Sequence, residues 1–211
     1  MKKIQLALDT TSLDLALEVL DQVKKHIDIV EVGTPLIKEH GALAISEIAK
    51  QCHNKPIIAD MKTMDYGDLE VKIASEAGAT GIIIQAAAAL ETLDLAYGDC
   101  QKIGLVCYID SIGLNFKKFL KKIFAYGECI PILHLGVDEQ RAGRDILTLA
   151  QKKDFRNLNK SFAIAGGISS VNAKEFAKLK YFDTFIIGGS IMKSEDPLRE
   201  CSLIREILVN H

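Results

Sequence analysis

Eight short apolar runs, separated by stretches of helical spacing, limit what this chain can fold into more than any other feature. They are Ile4-Gln5-Leu6-Ala7-Leu8, Ile27 to Val32, Ile57-Ile58-Ala59, Gly81-Ile82-Ile83-Ile84, Gly104 to Ile109, Ile130-Pro131-Ile132-Leu133-His134, Phe162-Ala163-Ile164-Ala165 and Thr184-Phe185-Ile186-Ile187. Near-continuous apolar runs of this length read as strands buried on both faces. The intervening segments carry apolar residues on one helical face, as in Leu13, Leu17, Leu20 and Val23. Helices are expected over Leu43 to Cys52, Asp68 to Gly78, Leu93 to Gln101, Phe116 to Ala125 and Asp138 to Lys152, and another from a Ser170 cap to Leu179. Gly33-Thr34-Pro35 reads as a break. The last helix has Asp196 as its cap, Pro197 at the first helical position and Leu198, Cys201, Ile204 and Leu208 as its apolar face. Strand and helix alternate at a period of roughly 25 residues, the pattern of a parallel sheet with right-handed crossovers. Eight such units in 211 residues, with no linker or composition break, are expected to close into one α/β domain spanning 1–211, a (β/α)8 TIM barrel. An open doubly wound sheet is the competing arrangement.

The charge balance narrows the function. Net charge is −2, with both signs spread along the chain, so the basic patch of a nucleic-acid or membrane-surface protein is missing. No run approaches the roughly 18 apolar residues of a membrane span. The run that begins at Ile4 stops at Asp9, too short for a signal-peptide core. Cys52, Cys100, Cys107, Cys129 and Cys201 are odd in number and scattered. They read as reduced thiols of a cytoplasmic protein rather than as a zinc cluster.

Five of the eight strands end in chemically unusual residues: Asp9, the Asp60-Met61-Lys62-Thr63-Met64-Asp65 cluster, His134, Gly166-Gly167 and Gly188-Gly189. In a barrel these ends share one face, and that face is the catalytic one. Asp60 and Lys62 are two apart, so an extended chain points both the same way. Carboxylates flanking an ammonium can hold a divalent cation and stabilise negative charge on a substrate; an incidental ion pair at a solvated strand end is the plain alternative. Glu31 stands in an otherwise apolar strand and must be paired or bind a cation. Glu31 and Asp60 together suit magnesium, and a Glu31–Lys62 ion pair would also satisfy the rule. His134, at a buried strand end on the same face, suits proton transfer. Asp9 reads as a support for Lys62 or for a substrate hydroxyl. Paired glycines after strands seven and eight, with Ser190 beside them, suit a phosphate held on backbone N–H groups.

The Asp-x-Lys-x-x-Asp pattern of Asp60, Lys62 and Asp65 resembles the signature of the orotidine-5′-phosphate decarboxylase group of phosphate-binding barrels. Gln5 to Asp9, Val30 to Pro35, Ser75 to Ala79, His134 through Asp138-x-Gln140-x-Ala142-Gly143, Ala165 to Ile168 and Ile187 to Gly189 extend the match nearly end to end. Within that group the pattern is similar to the 3-hexulose-6-phosphate synthases, with the 3-keto-L-gulonate-6-phosphate decarboxylases as close kin. The resemblance implies a ribulose-phosphate-binding type of TIM barrel and a magnesium-dependent lyase acting through an enediolate of a phosphorylated sugar. It implies that Glu31 and Asp60 hold the metal, Lys62 stabilises the enediolate, His134 moves protons and Asp9 orients Lys62 or a hydroxyl. It also implies a homodimer in which Asp65 enters the partner's site. The chain departs from the group's pattern at Cys107, where an acidic residue is expected late in strand five, with Asp110 three residues on, and at Leu135, where a threonine usually follows the histidine. A paralogue with altered catalysis is therefore a further reading.

Overall fold

The computed structural model describes residues 2–151, 155, 158 and 160–209. The chain runs through β1 (Lys3–Leu8), α1 (Leu13–Val23), β2 (Ile29–Val32), α2 (Thr34–His40), α3 (Ala42–Gln51), β3 (Ile57–Thr63) and α4 (Gly67–Glu76). It continues through β4 (Gly81–Gln85), α5 (Leu90–Ile103), β5 (Val106–Asp110), α6 (Phe116–Ile123), β6 (Ile130–His134), α7 (Val137–Arg141) and α8 (Ile146–Gln151). The last elements are β7 (Phe162–Ala165), α9 (Ala173–Ala177), β8 (Phe182–Ile187), α10 (Gly189–Met192) and α11 (Pro197–Val209). The eight strands pair in parallel in chain order and β8 closes back on β1, with Ile4 beside Phe185 and Leu6 beside Ile187. The closed (β/α)8 barrel is the expected fold, and the open sheet is excluded.

Strand alternation sorts the core into two layers. Ile4, Leu6, Ile82 and Ile84 face outward and pack under the helices. Ala7, Ile58, Ile83, Ile132 and Ala165 face inward and fill the barrel. Small residues at Ala7, Ala163 and Ala165 take up little of the interior near the strand ends, which leaves room for a cavity.

Local chemistry sets the helix starts. The Ser12 hydroxyl accepts from the Leu15 N–H at 3.2 Å, the Asn115 side chain from Lys118 at 3.0 Å, and the Asp196 carboxylate from Arg199 at 2.9 Å. Three expectations change. Gly33-Thr34-Pro35 starts a helix instead of only breaking a strand: Gly33 is the cap and Pro35 sits in the first turn of α2, where its missing N–H costs nothing. The continuous helix expected from Asp138 is two helices, because Gly143 turns at φ +81° and the Asp145 carboxylate then caps α8 through Thr148; its expected end, Lys152, lies outside the described residues. Ser170 caps nothing: its hydroxyl and N–H both donate to Glu200 of α11, and the helix there is only Ala173–Ala177. Among the described residues no helix is long and apolar enough to cross a membrane.

Candidate active site

The strand ends surround a cavity of about 660 Å³ whose floor includes Ala7, Ile83, Ile132 and Ala165. Asp9, Glu31, Asp60, Lys62, His134 and the residues of both glycine loops line it. At its centre the Lys62 ammonium lies 2.9 Å from Asp60 Oδ2 and 3.7 Å from Asp110 Oδ2. Lys62 adopts φ +48°, a left-handed conformation that costs a non-glycine residue on the order of 1–3 kcal/mol. The β3–β4 register shifts between Ala59 and Thr63, so the strand is irregular where the lysine leaves it. Burial works against a charge on Lys62, but Asp60 and Asp110 outweigh it and hold the ammonium well above the usual lysine range. No Glu31–Lys62 ion pair forms; Asp60 within β3 and Asp110 at the end of β5 take the lysine instead.

Asp110 is the residue that the sequence pattern misplaced. The acidic group of strand five is not replaced by Cys107. Cys107 points outward into the layer beneath the helices, whereas Asp110 ends β5 on the inward side and is completely buried. Alternation from the inward Tyr108 leads to Asp110 and excludes Cys107, a count available once the strand end is known. Asp110 Oδ2 lies 2.7 Å from His134 Nδ1, and its Oδ1 accepts the Ile112 N–H at 2.9 Å. Burial would raise the Asp110 pKa, yet His134, Lys62 and that N–H bring it below the usual carboxylate value. Burial would lower the His134 pKa, and the Asp110 charge and hydrogen bond turn the shift upward. With Nδ1 engaged, Nε2 is the nitrogen that can exchange a proton with a ligand. Leu135, the other departure, is buried in the outer layer and is not part of the cavity wall.

Three carboxylates crowd one side of the cavity. Glu31 is buried and receives a hydrogen bond from Gln5 Nε2. Its pKa is pushed well up by burial, then by Asp60 and Asp9. Asp9 is pushed up by desolvation and by Asp60. Its oxygens lie against Gly33 and Gly188, where a Cβ would come within 2.4 and 2.7 Å and push the Asp9 carboxylate aside; at Gly33 it would also meet the Leu8 carbonyl at 2.7 Å. Asp60 Oδ2 accepts from the Thr34 hydroxyl at 2.7 Å, while Asp60 Oδ1 is buried and has no hydrogen-bond partner among the described residues. An orphaned carboxylate oxygen among mutually repelling acids fits a divalent cation. Among the described residues no three acidic, histidine or cysteine side chains form a complete ligand set. Two carboxylates with waters and ligand oxygens is how magnesium is commonly held.

The opposite side is built from the glycine loops. Gly166 and Gly167 take φ +124° and +67°, and a Cβ on Gly166 would lie 2.7 Å from the Leu135 carbonyl. Gln140 donates to that same carbonyl at 2.8 Å and braces the loop. Outside its chain neighbours and its own helix, no described atom comes within 4 Å of the place a Gly189 Cβ would occupy. Ser190 differs from expectation: its hydroxyl donates to the Ile168 carbonyl at 2.8 Å, so it ties the two loops together and its proton is not available to an anion. Lys193, which no sequence motif marked, lines the mouth on this side. Arg141 lines it too, despite its place on the helix after β6, and it is held by Asp138 at 3.2 Å. Asp65 is exposed beyond the end of β3 and does not line its own chain's cavity. The structure thus brings together every proposed site residue except Asp65.

Residues 2–204 match the family model described as orotidine 5′-phosphate decarboxylase / HUMPS family. The chain is 37% identical over 199 residues to the bifunctional enzyme Fae/Hps of Methanocaldococcus jannaschii; the match covers 93% of the chain but only 49% of that relative. It is 31% identical over 210 residues to the 3-hexulose-6-phosphate synthase of Bacillus subtilis, covering 98% and 99% of the two chains. Among solved structures, a 3-hexulose-6-phosphate synthase from Salmonella typhimurium superposes with a TM-score of 0.89 at 31% identity over 99% of both chains. A 3-keto-L-gulonate-6-phosphate decarboxylase from Vibrio cholerae does so with a TM-score of 0.83 at 28% identity, over 99% of this chain and 98% of that one. Barrel closure, the order of the site residues along it and these matches agree: the chain belongs to the orotidine 5′-phosphate decarboxylase / HUMPS family of barrel enzymes.

Proposed function

We propose that the protein is a magnesium-dependent aldol lyase that interconverts D-arabino-hex-3-ulose 6-phosphate with D-ribulose 5-phosphate and formaldehyde through an enediolate. One observation carries this reading. The ammonium of Lys62, the Asp110–His134 pair and the Glu31–Asp60 carboxylates meet in a single cavity whose far side is formed by the glycine loops. The loops at Gly166-Gly167 and Gly188-Gly189-Ser190 hold the phosphate through backbone N–H groups, with Lys193 as the nearby cation. The sugar then reaches back toward Lys62 and His134. Glu31 and Asp60 would hold magnesium, which supplies Lewis-acid stabilisation of negative charge on oxygen. Lys62 places its positive charge where the enediolate develops. His134 Nε2 takes the proton that leaves the reacting carbon, and Asp110 stabilises the imidazolium formed. The enediolate carbon attacks formaldehyde, and the resulting alkoxide is protonated within the same set. Asp9, fixed between Gly33 and Gly188, orients Lys62 or a substrate hydroxyl.

The proposed assembly is a cytoplasmic homodimer with shared sites. Exposed Met64, Tyr66 and Leu69 flank Asp65, so the segment that carries it offers an apolar seat for a second copy. The runner-up activity is decarboxylation of 3-keto-L-gulonate 6-phosphate, which runs through the same kind of intermediate. Val137 favours the lyase. It lines the mouth just after His134 and offers neither charge nor donor to a departing carboxylate, which suits a small neutral aldehyde. The test is to supply purified protein with magnesium, ribulose 5-phosphate and formaldehyde and to follow formaldehyde, in parallel with carbon dioxide release from the keto-gulonate. Formaldehyde consumption should dominate, and Val137→Arg should gain some decarboxylation. Faster release of carbon dioxide by the natural protein would transfer the assignment to the runner-up.

A further inference from the structure

The last residue of β4 breaks a folding rule. Gln85 is 4% exposed, and among the described residues neither its buried side-chain oxygen nor its buried side-chain nitrogen has a hydrogen-bond partner. Removing an amide from water without compensation is strongly unfavourable, and proteins satisfy nearly all such groups. Its place in the barrel shows what surrounds it. Ile82 and Ile84 face the outer layer and Ile83 faces the interior, so alternation turns Gln85 inward; Gln85 does not itself line the cavity but lies buried beside Ile83 and Asp110, which do. Its register partner on β5 is Asp110. On the other side lies the irregular end of β3, where Thr63 pairs with Ile84 and Lys62 precedes it in the left-handed conformation. The amide therefore sits at the strand ends between the elements that carry Lys62 and Asp110. Among the described residues the Lys62 ammonium makes one close contact, to Asp60 at 2.9 Å; Asp110 at 3.7 Å is beyond hydrogen-bond reach.

We propose that Gln85 is a positioning residue for Lys62, its amide being completed only when a phosphorylated sugar occupies the cavity. The ammonium turns from Asp60 toward the ligand, and the Gln85 oxygen then accepts one of its remaining protons while the Gln85 nitrogen donates toward Asp110. Gln85 touches no reacting atom in this arrangement; it acts by fixing the direction of the lysine. The inference rests on the lyase reading for its reaction, though its stability component does not. Buried polar groups without partners are expected at functional sites, where they lower stability and raise activity.

The experiment compares the natural protein with Gln85→Met and Gln85→Leu, which keep the volume and remove both polar atoms. Without ligand, both variants should melt about 2–4 °C higher, since an unpaired amide is replaced by apolar surface. In formaldehyde condensation kcat should fall about tenfold with KM changed less than about twofold, the value of one hydrogen bond made after binding. Saturating ribulose 5-phosphate should raise the melting temperature of the natural protein more than that of either variant. A variant that melts higher with unchanged kcat would show the amide to be idle and overturn the proposal. Loss of folding in both variants would make Gln85 a packing residue and overturn it as well. If the natural protein consumes no formaldehyde, the lyase reading fails, and Gln85 is judged by the ribulose 5-phosphate shift: an equal rise, or none in the natural protein, rejects it.

Discussion

Replacing Asp110 with asparagine should do two measurable things, because one buried oxygen serves both His134 and Lys62. The Asp110 side chain is 1% exposed and lies 2.7 Å from His134 Nδ1. A hydrogen bond between charged partners is worth about 1.5–3 kcal/mol. Asp110→Asn removes the charge and the hydrogen bond that raise the His134 pKa, so that pKa should fall. Burial and the Lys62 charge remain and both depress it, so the histidine ends below its ordinary value of 6.5 rather than above it. Ring-proton NMR titration reads this directly, and the limb of the kcat/KM profile that belongs to His134 should move down with it. Stability gives the second reading. His134 has a raised folded pKa, so its contribution is full below 6.5 and is lost as pH rises through the folded value. Asp110 has a lowered folded pKa, so its contribution is present above 3.8 and is lost as pH falls through its folded value. The variant should be most destabilised between those limits, near pH 5–6. Breaking a buried pair costs about 3–5 kcal/mol, on the order of 10 °C in a chain of this size. A His134 titration that does not move, or a destabilisation that grows toward alkaline pH, would refute the coupling.

Two further outcomes follow from the same geometry. Glu31 and Asp9 have raised pKa values, so their ionisation in the folded state lowers stability as pH climbs from the ordinary carboxylate value through their own. Magnesium should relieve that repulsion: it should raise the melting temperature more at pH 8 than at pH 5, and Glu31→Gln should lose most of the rise and need more magnesium for activity; a rise equal at both pH values, or absent, would dismiss the cation site. Asp65→Asn and Lys62→Ala proteins should each be inactive, and mixing after dissociation should restore activity, because a mixed dimer holds one site built from the intact lysine of one chain and the intact aspartate of the other; no recovery after demonstrated subunit exchange would put both residues in one chain's site.

The barrel was legible in the sequence because its signal is local and repeated. Each strand is a short apolar run, the segments between them carry apolar stripes at helical spacing, and eight such units in one chain favour closure. The unusual strand ends were legible for the same reason: charge and glycine at the end of a buried run are visible without knowing what they face. What depended on register was not. Cys107 and Asp110 are both plausible acids' places on paper, and only the end of β5 and its pairing with β4 show that Asp110 points inward to His134 while Cys107 points out. The left-handed Lys62, the orphaned oxygen of Asp60 and the unpaired amide of Gln85 carry no local signature at all. Ser190 shows the limit from the other side: the residue type suited phosphate, but its proton goes to the neighbouring loop at Ile168. Residue type determines which groups reach the catalytic face, whereas which of them bond to one another is set by distances of a few ångströms between strands far apart in the chain, and those exist only once the barrel has closed.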